Sequence, residues 1–144
     1  MVGKRFTLGF VAFLVLVQAA LGQTAYKARF KGDPARSNAE ASALGYMRTV
    51  IDAQKVFKKR HTIYATSLPA LINTGSFTRR MAKTDRGDYI VAFKSGPVQH
   101  YSIQLTPKVF DAEHRAFYVE ENGVIKVETD KPASADSPVL RPEE

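Results

Sequence analysis

The chain has 144 residues, 44% of them hydrophobic and 24% charged, with a formal charge of +7. That length supports one modest domain with one core. It has no cysteine, which excludes disulfides, thiolate metal sites, a cysteine nucleophile and a lipid anchor on cysteine.

The chain opens on Lys4 and Arg5, followed by an apolar run from Phe6 to Val17 and by Gln18-Ala19-Ala20-Leu21-Gly22. A basic start, a short apolar stretch and small residues two apart read as a secretory signal over residues 1–22, cut before Gln23. The run is short for a spanning helix. Lys27, Arg29, Lys31 and Arg36 lie beyond it, against the positive-inside tendency of a retained anchor. The expected location is periplasmic or extracellular. The alternative is inner-membrane anchoring through residues 6–22, and membrane contact is expected only then. Residues 23–36 read as a basic linker, interrupted by Gly32-Asp33-Pro34. Because Pro34 disfavours helix at Asp33, a helix break is expected between residues 31 and 36.

Ser37 to Arg60 reads as one long amphipathic helix. A capping box marks its start: Ser37 accepts the Glu40 amide, and the Glu40 side chain reaches back to the Ser37 amide. Its apolar stripe is Ala43, Leu44, Met47, Val50, Ile51 and Phe57, at near-helical spacing. Ser42, Gly45, Arg48, Asp52, Lys55 and Lys59 face away. Lys58-Lys59-Arg60-His61 places positive charge at the carbonyl end of the helix dipole. A second, small helix is expected over Leu68 to Asn73, capped by Ser67 and stopped at Gly75.

Phe77 to Gly87 is basic and aperiodic and reads as a loop. Strands are expected at Tyr89–Phe93, His100–Leu105, Ala116–Glu120 and Val124–Glu128. Asn122-Gly123 signals a type I′ turn between the last two. Residues 130–144 are rich in proline, alanine and serine and read as a tail without a core, on the surface or disordered. The order predicts an α+β domain over residues 37–129, with the helix packed on an antiparallel β-meander of three to four strands. The folded part, residues 23–129, carries about +7, because the leader is +2 and the tail −2. That balance permits acidic partners without requiring them.

No catalytic, cofactor or metal constellation can be assembled. His61, His100 and His114 have no ligand-like spacing. Asp85 and Asp88 flank Gly87, but Lys83 and Arg86 interleave with them, which works against a cation loop. Glu120 and Glu121 are adjacent in a strand and point to opposite faces. The one candidate site is a polymer-binding surface at Arg79, Arg80, Lys83 and Arg86. Lys55, Lys59 and Arg60 would extend it, and Tyr64 and Phe77 could supply stacking. Nucleic acid is nonetheless an unlikely partner, because the strand aromatics alternate as core residues do.

Four stretches resemble bacterial type IV pilin-like and type II secretion pseudopilin proteins. Ser37 to Gln54 (SNAEASALGYMRTVIDAQ) is similar to their recurring "NEASAVxSLRTINTAQ". Thr62 to Leu71 resembles the next segment, which pairs a tyrosine with a short "SLxxL" helix. Arg115 to Lys126 resembles the final hairpin, "RxFFxDxxGVIR", and Ala133 to Leu140 the end of these proteins. Prepilins are cut between glycine and phenylalanine, with glutamate at the fifth mature position. Here Arg5 precedes Phe6, and Phe10 stands where glutamate would be. The resemblance therefore implies a pilin-like globular head. It also implies a non-enzymatic role through protein partners in the envelope, or through self-association.

Overall fold

The structure, a computed structural model, describes residues 25–142. The expected signal segment, residues 1–22, lies outside the described residues. The domain is α+β. The 24-residue helix α1 (Asn38–His61) is followed by two single-turn 3-10 helices, Pro69–Leu71 and Arg79–Ala82. Five strands come next: β1 (Asp85–Arg86), β2 (Tyr89–Gly96), β3 (His100–Pro107), β4 (Ala116–Glu120) and β5 (Lys126–Glu128). They form one antiparallel sheet in the order β1-β2-β3-β4-β5.

Helix α1 begins where its sequence says it should. Ser37 is extended, and its hydroxyl accepts the Glu40 amide at 3.0 Å. The helix stops at Thr62, whose φ of 64° cannot continue it and whose amide bonds back to the Lys58 carbonyl. The expected stripe is buried, with Leu44, Met47 and Val50 wholly inside and Phe57 half-buried. Burial extends further than the stripe. Tyr46 packs on Phe77, and the Gln54 amide group clamps both backbone groups of Ala65, at 2.8 and 3.0 Å.

On the sheet, alternation sorts the residues as the period of two requires. Tyr101, Ile103 and Leu105 of β3 are buried, in register with Ser95, Phe93 and Val91 of β2. Phe117 and Val119 of β4 pair with Leu105 and Ile103. These side chains and the buried residues of α1 share one core.

Several expectations need correction. The sheet has five strands, because Asp85–Arg86, inside the expected loop, pairs with Tyr89 and Ile90. The second helix is a single 3-10 turn, with Leu68 and Leu71 buried. The last strand starts at Lys126, not Val124. At the turn before it only Gly123 has positive φ, so the turn is not type I′. Asn122 instead uses its side chain to accept the Val124 amide at 3.0 Å.

The two flanking segments also differ from expectation. Residues 25–37 contain no helix, in keeping with the expected break, but they are not a free linker. Asp33 is buried and accepts the Tyr26 hydroxyl and the amides of Arg29 and Ala35. Burial alone would raise its pKa, but those hydrogen bonds, Tyr26 first, outweigh it and leave the pKa lowered. The tail is docked as well. Ala133 is fully buried, and its carbonyl accepts Gln104 Nε2 at 2.6 Å. The Val127 amide donates to the Pro138 carbonyl and the Leu140 amide to the Ile125 carbonyl, both at 2.9 Å. Pro138 lacks a donor, so only its carbonyl serves the ladder.

Val98 sits at the tip of the β2–β3 hairpin, 95% exposed, with φ at 52°. A β-branched residue is strained in that region, and its side chain gains nothing from packing. Val98→Gly is therefore expected to raise stability by about 0.5–1 kcal/mol, read as a shift in urea midpoint at constant slope. A lower midpoint would contradict this account of the turn.

Candidate interaction surface

The basic stretch is divided by its own backbone. Arg79 and Arg80 lie on the 3-10 turn, exposed, and Lys83 follows it in an extended conformation. Arg86 belongs to β1 and is half-buried. Its guanidinium lies 4.0 Å from the centre of the Tyr46 ring, and its Nη1 donates to the Arg80 carbonyl. Arg80, Lys83 and Arg86 line an open groove of about 600 Å3, and Arg79 does not. The facing wall is the first turns of α1, at Asn38, Ala39, Ser42 and Ala43. That wall was not apparent in the sequence, since more than 35 residues separate it from the basic stretch.

Asp85 and Asp88 share the groove; Asp85 pairs with a lysine, and Asp88 shares a histidine with Asp111. Lys108 Nζ lies 2.9 Å from Asp85, and His114 Nε2 lies 3.4 Å from Asp88. Arg80, Lys83 and Arg86 form no ion pair among the described residues. The groove therefore keeps a positive excess. Lys55, Lys59 and Arg60 do not extend it. They sit toward the far end of α1, roughly 20–30 Å away at 1.5 Å per residue.

The expected stacking platform is also taken. Phe77 is 1% exposed. Lys58 covers the Tyr64 ring at 4.3 Å, and Tyr64 packs edge-on against Tyr101. Among the described residues no group of three or more His, Asp or Glu is arranged to hold a metal ion.

The histidines are each engaged. His61 packs on Phe57 with ring centres 4.2 Å apart. His100 Nδ1 lies 2.7 Å from Glu121. His114 bridges Asp111 at 2.7 Å and Asp88. Burial would lower the His114 pKa, but the hydrogen bond and charge of Asp111, with those of Asp88, outweigh it and raise it above the ordinary 6.5. The sign follows from linkage. The charged bridge stabilises the fold fully below about pH 6.5, and that contribution is lost as pH rises through the higher folded value. Wild type should therefore lose stability relative to His114→Gln between pH 6 and pH 8, measured by urea midpoints. A difference that is flat across that window would remove the bridge as a contributor.

Behind the groove, the start of α1 is fixed to the start of β4 by a buried ion pair. Glu40 is 0% and Arg115 4% exposed. Arg115 Nε donates to Glu40 Oε1 at 2.9 Å and Nη2 to Oε2 at 2.8 Å. The Arg115 amide also reaches Oε1, and the Arg36 amide reaches Oε2. Arg115 Nη2 donates further to the Pro34 carbonyl at 2.7 Å. The carboxylate read as a reciprocal cap is thus the partner of an arginine 75 residues away.

No protein-family model, curated protein or solved structure matches this chain. Among the described residues no helix is long and apolar enough to cross a membrane.

Proposed function

We propose that the chain is an exported, non-enzymatic interaction protein with a pilin-like head. It would work by contact within the bacterial envelope, in a secretion- or pilus-type system, or with its own kind. In this reading the long amphipathic helix and the antiparallel meander are the two layers of that head. The observation that carries it is the order of elements: one helix first, a meander after, and a single core between them. The sequence resemblance over residues 37–140 and the signal-like leader support it further. Residues 25–37 are non-helical, so α1 does not run back as a continuous rod, and this favours a head that acts by its surface over one built for filament packing.

Fractionation of expressing cells, with mass spectrometry of the mature N-terminus, tests the proposal. The expected result is protein outside the cytoplasm beginning at Gln23. Cytoplasmic protein with Met1 or Val2 intact would overturn it. A second reading, a basic module for an acidic polymer, is favoured by the positive groove at Arg80, Lys83 and Arg86. It predicts binding that collapses as salt rises.

A further inference from the structure

We propose that the groove between the first turns of α1 and the segment 80–89 is a docking site for an acidic peptide segment of a partner protein. The inference deepens the interaction reading by naming one surface and the chemistry of its ligand. It does not depend on export, so the two fail separately.

Three observations point to a peptide. The groove has three cations without ion-pair partners among the described residues against two carboxylates, of which Asp85 is paired with Lys108 and Asp88 shares His114 with Asp111. That leaves Arg80 and Lys83, both exposed, to receive carboxylates, with Arg86 held between them by the Tyr46 face. Charge-assisted bonds to carboxylates are among the stronger polar contacts. Second, the α1 wall offers a small, half-buried apolar patch at Ala39, beside the polar Asn38 and Ser42. A peptide can lay a small apolar side chain there while its flanking carboxylates reach the basic side. Third, the site suits a nucleic acid poorly. The one aromatic residue lining it, Tyr89, is 2% exposed, and the nearby Tyr46 ring is covered by Arg86, so little aromatic face is offered to bases there.

The test uses the full chain and a short fluorescent peptide of alternating glutamate and leucine, followed by anisotropy at low salt. Saturable binding is expected. Arg80→Glu combined with Lys83→Glu should weaken it by about tenfold or more. Lys59→Glu combined with Arg60→Glu makes the same change of net charge at the far end of α1 and should leave binding nearly unchanged. All four residues are exposed, and circular dichroism confirms that both variants fold. No saturable binding would overturn the proposal. So would equal losses in the two variants, which would mean a diffuse charge effect. Single-stranded DNA that binds more tightly than the peptide, and loses binding only on the groove reversal, would overturn it in favour of a nucleic-acid site.

Discussion

Arg115→Leu is expected to destabilise the fold by about 3–5 kcal/mol, the cost of leaving a buried carboxylate without its cation. For a domain whose whole stability is about 5–15 kcal/mol, that approaches global unfolding at physiological temperature. The reason is geometric. Glu40 has no exposure to solvent, and two of its contacts come from the Arg115 guanidinium. The Pro34 carbonyl also loses a donor, so the docked segment before α1 loosens at the same time. Glu40→Gln combined with Arg115→Leu should be less destabilised than Arg115→Leu alone, by about 1–2 kcal/mol, because the glutamine removes the stranded charge and its one carbonyl oxygen still accepts one of the two amides, of residue 36 or 115, that the carboxylate accepted on separate oxygens. Denaturant melts of the four chains of the cycle measure this. If the double variant loses as much as the two single losses added together, the two residues are not coupled and the clamp is not what holds α1 to β4.

Phe117→Ala should cost about 3–5 kcal/mol, the usual loss for deleting a buried phenylalanine. Phe117 is fully buried, in register with Leu105 and Val127, and its ring lies 6.2 Å from that of Tyr89. It stands at the middle of the meander on the face turned to the core. Ile90→Ala is the control. Ile90 is 43% exposed on β2, and its truncation should cost less than about 1 kcal/mol. Thermal or urea melts compare the two. Similar losses would mean that the sheet buries its other face against something, and the assignment of its inner side would fall.

Both predictions rest on residues whose type was legible in the sequence and whose partners were not. Phe117 was readable as a strand residue, since Ala116–Glu120 carries β-formers bounded by polar residues, and the strand has those bounds. Glu40 was readable only as a cap, since the signal for a cap is local and the signal for an ion pair across 75 residues is not. The basic stretch shows the same limit at the site. Its charges were plain, but a 3-10 turn and a two-residue strand send Arg79 out of the groove that Arg80, Lys83 and Arg86 line. Asn122-Gly123 was a sound turn signal, yet the chain there closes with one positive φ rather than two. The tail misled most. Alanine, serine and proline carry no periodicity, but backbone groups of residues 138–140 complete the β5 edge whatever their side chains.

Local chemistry in the sequence therefore determined where α1 begins, the apolar stripe at the centre of its buried face, and the alternation of the main strands. It also gave the absence of thiol chemistry and the positive balance of the domain. These follow from φ preferences, helical and strand periods and composition, all of which act over a few residues. The tertiary structure alone decided what Glu40 and Arg115 do, which cations share the groove with the α1 wall, and that both flanking segments belong to the fold. Each of those depends on groups brought together from distant parts of the chain, where burial makes an unpaired charge or backbone group too costly to leave alone.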